Sequence, residues 1–303
     1  MSSYLRGLSV TIALIVAAVM SKSPGAQGNP EPLGFKFNTG QSVQPIFEGW
    51  AYNQDGSIAM YFGYINRNYV ESPAIAIGPE NRFEPGGPDR GQPTLFGPRI
   101  HRMAFSVGVP KDWGNKELVW TVIAHGQTEK AVGWTQPEWQ IDPIYFGKER
   151  SAESLKNKPP TLAIEAPANV TLPNTLTVSA TVTDDGLPVP RKSPRRAAVG
   201  QETPPTLKPD PGQPEILLNV PQVARGRGRG LDQGLVVNWT AWRGPANVVF
   251  EAATTPVKSG KASVKATFTK PGTYVIRGSA NDGELHVEKD VTVTVTGSAN
   301  PSS

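Results

Sequence analysis

Residues Val291-Thr292-Val293-Thr294-Val295-Thr296 alternate apolar and hydroxyl side chains without a break. A period of two sends every valine to one face of an extended chain and every threonine to the other. Both residue types are β-branched, so the segment reads as a half-buried strand. The same period recurs along the chain. Ile58 to Ile65 puts Ile58, Met60, Phe62 and Tyr64 on one face, and Met103 to Val109 puts Phe105, Val107 and Val109 there. Phe47 to Tyr52, Leu118 to Ala124, Ser263 to Phe268 and Thr273 to Ala280 complete the set. No window sustains a long 3.6-residue period. The 31 glycines and 30 prolines punctuate the alternating runs, with hairpin signals at Asp55-Gly56 and turns at Pro271-Gly272 and Asn281-Asp282-Gly283. The fold class expected is all-β.

Aromatic residues divide the chain. Residues 35–146 hold 18 of the 24 Phe, Trp and Tyr, whereas 158–297 hold only Trp239, Trp242, Phe250, Phe268 and Tyr274. Between these blocks, GKERSAESLKNKPP (147–160) is polar and ends in two prolines, as a linker does. The organisation expected is two β-sandwich domains, 35–146 and 161–297, with a short tail at 298–303. Ahead of them, residues 1–28 read as a secretory signal: Arg6, then the 13-residue uncharged run Leu8 to Met20, then Ala26 and Gly28 before a cut. That run is too short to span a bilayer as a helix, which takes about 20 residues. An uncleaved N-terminal anchor is the alternative. After signal removal no transmembrane span is expected.

The second block resembles a known family. The run FTKPGTYVIRGSANDGELHVEKDVTVTV (268–295) is similar to the last strands of PKD-like and related bacterial immunoglobulin-like domains. PPTLAIEAPANVTLPNTLTVSATVTDDGLP (159–188) resembles their opening strands, and VVNWTAWRGPANVVFEAA (236–253) the stretch between. The resemblance implies an immunoglobulin-like sandwich with a spacer, adhesion or contact role. It also implies that Tyr274 is the strand-F tyrosine whose hydroxyl ties down a neighbouring turn. The departure is an insertion, 187–234, with nine prolines and eight basic against four acidic residues. Few large apolar residues are available there to offset its ordering entropy, so it is expected to be disordered. The first block resembles no family with an assignable activity.

Charge and cysteine narrow the function. Removing 1–28 takes two basic residues from 30 and leaves 26 acids, a net charge of +2, which gives no argument for nucleic acid. With no cysteine, disulfides, thiolate metal sites and cysteine nucleophiles are excluded. Export without disulfides points to a bacterial periplasmic or extracellular protein. His101, His125 and His286 lie far apart in sequence and read as surface residues rather than metal ligands. No serine-nucleophile elbow, phosphate loop or zinc motif is present. Glu48, Asp55, Glu71, Glu80, Glu84 and Asp89 supply carboxylates for a polysaccharide-active hydrolase, but nothing in the sequence pairs two of them.

Three candidate surfaces remain. Trp50, Tyr52, Tyr61, Trp134 and Trp139 offer rings for stacking on a sugar or an apolar side chain, with the rigid loop Asn81 to Thr94 as a rim. Asp184, Asp185 and Asp282 sit in turns that an immunoglobulin-like topology brings to one end, where oxygen ligands collect calcium. Arg225, Arg227 and Arg229 form a basic cluster for polyanions. The function expected is an exported, non-catalytic binding, adhesion or envelope-associated protein with a polysaccharide or cell-envelope protein as partner. A carboxylate-dependent hydrolase, or its carbohydrate-binding accessory, is the alternative.

Overall fold

The computed structural model describes residues 36–53, 55–141, 156–189 and 234–297. The signal, the tail, residues 142–146 of the first block, 147–155 of the linker and 190–233 of the insertion, with Arg225, Arg227 and Arg229, lie outside the described residues. Within them the regular structure is strands and one 3₁₀ turn, so the chain is all-β.

Six strands build the first sandwich: β1 (Val43–Tyr52), β2 (Ile58–Asn66), β3 (Asn81–Glu84), β4 (Arg99–Val109), β5 (Leu118–Ala124) and β6 (Gln127–Gly133). They form two antiparallel sheets, ordered β1-β2-β4 and β3-β5-β6. The β1–β2 hairpin closes where the Asp55 carboxylate accepts from the Ser57 amide at 2.9 Å. The alternating residues meet between the sheets: Met60, Phe62 and Tyr64 from β2, Phe105 and Val107 from β4, Phe83 from β3, and Leu118, Trp120 and Val122 from β5 are all buried. One irregularity matters for the surface. The β1 register slips between Phe47 and Gly49. Gly49 adopts φ +126°, and a Cβ there would lie 2.7 Å from the Trp139 carbonyl. Only glycine admits both that backbone conformation and that close approach.

The second sandwich contains β7 (Thr161–Glu165), β8 (Asn169–Thr171), β9 (Leu176–Thr183), β10 (Val236–Arg243), β11 (Val248–Phe250), β12 (Thr254–Pro256), β13 (Lys261–Phe268), β14 (Gly272–Asn281) and β15 (His286–Thr296). Its sheets are ordered β12-β10-β14-β15-β8 and β11-β13-β9-β7. The first strand run changes sheet: β7 pairs antiparallel with β9, and β8 then pairs parallel with β15. That switch, with a tryptophan buried on the third long strand (Trp239), is the immunoglobulin-like arrangement. Tyr274 fills the place expected of it. Its ring is buried and its hydroxyl donates to the Lys270 carbonyl at 2.8 Å, four residues upstream. The Val-Thr run forms the end of β15, with Val293 and Val295 buried and the threonines outside.

The two sandwiches meet at a seam. On β10, Trp239 points into the second core, while Trp242, the residue skipped at the register shift between Ala241 and Arg243, is buried in the first core. Its indole N–H donates to the Gly91 carbonyl at 3.1 Å, and its own carbonyl accepts from the Thr94 amide at 3.1 Å. Arg243 adds a bidentate pair with Asp89, at 2.7 and 2.9 Å, and a bond to the Gln92 carbonyl at 3.0 Å. The proline-rich segment expected as a rim beside the aromatic surface is therefore the strap onto which the second sandwich docks. Proline explains why this works: fixed φ angles lower the entropy lost in holding an irregular backbone against a neighbour.

Candidate functional site

Four of the five aromatic candidates gather along one edge of the first sandwich. After β6 the chain returns beside β1 through Trp134 and a 3₁₀ turn at Pro137–Trp139. The Ile141 amide donates to the Trp50 carbonyl at 2.8 Å, and the Trp50 indole donates to the Gln136 carbonyl at 2.9 Å. These bonds cover the free edge of β1 and fix where the rings sit. Trp50 meets Tyr52 edge-on at 5.1 Å between centroids, and Trp134 meets Trp139 at 6.0 Å. Phe47 touches both of the latter, at 6.4 and 5.6 Å. Tyr61, on β2 opposite Gly49, alternates to the other face of the sheet from Met60 and Phe62 and does not join this group.

Exposure separates structural rings from available ones. Trp50 is 4% exposed and Trp134 is half-buried, so both belong to the support. Tyr52 is 61% exposed and Trp139 is 42% exposed. Large rings in water, backed by a packed aromatic layer, are pre-organised for stacking contacts because few rotamers remain to be frozen. The Trp134 indole nitrogen is buried and has no hydrogen-bond partner among the described residues.

The turns of the second sandwich bring Asp184 and Asp282 together at one end, as the topology requires. Asp282 is buried. One of its oxygens accepts from the Glu284 and Leu285 amides, both at 2.7 Å, and the other from the Asn157 side-chain amide at 3.1 Å. Asp185 uses both oxygens on backbone, accepting from Lys158 and Leu187 at 3.0 Å each. Asp184 accepts from the Gly186 amide through one oxygen, while its Oδ1 is buried and unpaired. Desolvation first, then repulsion from Asp282 and Asp185, raises the Asp184 carboxyl above its ordinary value. Among the described residues, no three His, Asp or Glu side chains converge as a metal group.

Glu48, Glu71 and Asp89 of the first sandwich point to separate structural partners. Glu48 is buried over Gly63, where any Cβ would collide with it, and accepts from Arg102 and from the Met103 amide. Glu71 accepts from the Gly40 amide at 2.7 Å and lies 3.0 Å from the His125 ring. Asp89 belongs to the seam, where its bonds to Arg243 hold its carboxyl below the ordinary range. One histidine departs from the surface expectation: His101 is buried and stacked on Tyr64 at 4.5 Å, where desolvation lowers its pKa.

Sequence reasoning missed the part played by Trp242, Arg243 and Asn157. Trp242 carried the one available signal, a large ring at the outward parity of a strand whose inward position is already taken by Trp239. Asn157 carried none, because an asparagine in a polar linker reads as solvated.

No family model and no curated protein matches the chain. Among solved structures it is similar to Escherichia coli alpha-2-macroglobulin activated by porcine elastase, at 15% identity and a TM-score of 0.24, over 84% of this chain and 23% of that one. The titin I-band fragment I67-I69 is similar at 7% identity and a TM-score of 0.22, over 84% of this chain and 65% of that one. Sidekick-1 immunoglobulin domains 1-5 are similar at 8% identity and a TM-score of 0.20, over 84% and 40%. The chain thus spans under a quarter of the macroglobulin's length. The fold assignment rests on strand order and register.

Proposed function

We propose that this is an exported, non-catalytic binding protein, periplasmic or extracellular, in which the first sandwich recognises a partner and the second is a PKD-like spacer or adhesion module. Its organisation is a signal at 1–28, a binding domain at 35–146, a linker at 147–160 and the module at 161–297. The carrying observation is the exposure of Tyr52 and Trp139 on the edge of β1, backed by Trp50, Phe47 and Trp134. Flat apolar faces with polar rims suit the ring faces of a polysaccharide or an apolar side chain of a cell-envelope protein. Carboxylates engaged by separate structural partners support a binding rather than a hydrolytic reading. No helix among the described residues is long and apolar enough to cross a membrane.

The test is a glycan array together with a pull-down from envelope extracts, using the mature chain and the double variant Tyr52→Ala/Trp139→Ala. The expected result is a retained ligand that the double variant loses at unchanged melting temperature. Equal retention by both proteins overturns the assignment of this edge.

A further inference from the structure

We infer that one end of the first sandwich, carrying Phe37, Arg67, Arg99, Ile100 and Arg102, docks on an anionic lipid surface. This does not depend on the aromatic edge being a binding face. Among the described residues, the exposed large apolar side chains of the first sandwich fall in two places. Tyr52 and Trp139 belong to the aromatic edge. Phe37, 51% exposed, and Ile100, 41% exposed, lie where β1 and β4 begin and β2 finishes. The Phe37 carbonyl accepts from the Tyr69 amide at 2.9 Å, just beyond the end of β2, and Ile100 stands opposite Ile65 on β2.

Arginines accompany these apolar side chains. The side chains of Arg67 and Arg102 are 52% and 60% exposed, whereas the acids they face, Glu129 and Glu48, are 22% and 1% exposed. The cations therefore lie outermost, with the carboxylates beneath them. Arg67 stands 3.9 Å from Glu129, and Arg102 is held by Glu48. Arg99 donates to the Arg67 carbonyl at 3.1 Å, and its guanidinium carbon lies 4.2 Å from the centre of the Tyr69 ring. Glu71, on the same loop, is taken up by the Gly40 amide and His125. Guanidinium groups already held in place lose little freedom when they pair with a phosphate.

The combination selects the partner. A soluble polyanion would satisfy the arginines and leave Phe37 and Ile100 in water. An anionic bilayer surface takes both, with phosphates for the arginines and the headgroup–acyl boundary for the apolar side chains. The position in the chain agrees. Phe37 follows the N-terminal segment that reads as an export signal or an anchor, so the patch is the part of the sandwich nearest in sequence to a membrane-directed segment. From this end β1 runs ten residues to Tyr52, roughly 30 Å, so docking leaves the Tyr52 end of the aromatic edge away from the lipid.

The experiment is co-sedimentation of the mature chain with vesicles of phosphatidylcholine containing about one-third phosphatidylglycerol, against vesicles of phosphatidylcholine alone. Weak, reversible binding is expected on the anionic vesicles, with a partition constant on the order of 10³–10⁴ M⁻¹, and at least about tenfold weaker binding on the neutral ones. Raising the salt should weaken it further. Arg67→Gln should lower binding about fivefold and Phe37→Ser/Ile100→Ser about tenfold, while Tyr52→Ala/Trp139→Ala changes it less than about twofold. Circular dichroism checks that each variant is folded. The inference is overturned by the absence of sedimentation at about 5 mM anionic lipid, by equal binding to the neutral vesicles, or by full binding of a folded Phe37→Ser/Ile100→Ser protein. The last result, with inorganic polyphosphate displacing the protein from the vesicles, would assign the arginines to a soluble polyanion instead.

Discussion

The aromatic core of the first sandwich has two ends, and they have different fates. A run of ring contacts leads from Trp139 to Phe47, Phe62, Phe105 and Trp242, with centroid separations of 5.6, 5.4, 5.9 and 6.0 Å. At the far end the run is sealed. Trp242 comes from the other sandwich, is buried, carries Arg277 on its face at 3.7 Å, and is hydrogen-bonded to the strap. At the near end the run opens to water through Trp139, with Tyr52 exposed farther along the same strand edge. The residue types are alike at both ends. What distinguishes them is whether another part of the chain covers the last ring. A covered terminus holds the molecule together, and an uncovered one is a surface on offer.

Substitutions at the two ends should therefore separate stability from binding. The largest effect is expected from Trp242→Ala. It removes a buried indole that the second sandwich inserts into the first core, at a cost of about 3–5 kcal/mol. Differential scanning calorimetry should show the sandwiches melting as one transition in the parent and as two in the variant. A single transition in both proteins would mean that the seam does not couple them.

Tyr274→Phe comes next. It leaves the ring packed and deletes only the bond to Lys270, for about 1 kcal/mol in chemical denaturation, with the first sandwich unaffected. Asp89→Asn should cost less than about 1 kcal/mol, because half of the Asp89 side chain faces solvent and water screens its pair with Arg243. The sign with pH is definite. A carboxyl lowered in the folded state contributes stability above its unfolded pKa of about 3.9 and loses it as pH falls through the folded value. The Tm advantage of the parent over Asp89→Asn should thus be full near neutrality and vanish in acid. An advantage that grows below pH ~4 would contradict the role given to the pair. Smallest of all is Trp139→Ala, which should change Tm by less than about 2 °C because the ring is already 42% exposed and lies at the edge of the core.

Much of this was legible in the residues. Strict alternation located β2, β5, β13, β14 and the end of β15, because a period of two has one physical reading. The tyrosine corner followed from the family resemblance carried by PGTY, while its partner, the Lys270 carbonyl, came only with the fold. Less visible were β3 and β6: NRFE is too short and too polar to register, and QTEKAVG alternates only weakly. The strap was misplaced because proline and glycine announce irregular backbone without saying what it packs against. The aromatic edge was half legible. Density of rings was plain, but Trp50 and Trp139 look alike in sequence, and only the return of residues 134–141 along β1 decides which is buried.

The most direct measurement compares ligand retention with melting temperature for the parent, for Tyr52→Ala/Trp139→Ala and for Trp242→Ala on one array. The account predicts that the double variant loses the ligand at an unchanged Tm, while Trp242→Ala lowers Tm and retains the ligand at temperatures where it stays folded. Retention by the double variant, or selective loss of ligand in a folded Trp242→Ala protein, would contradict it.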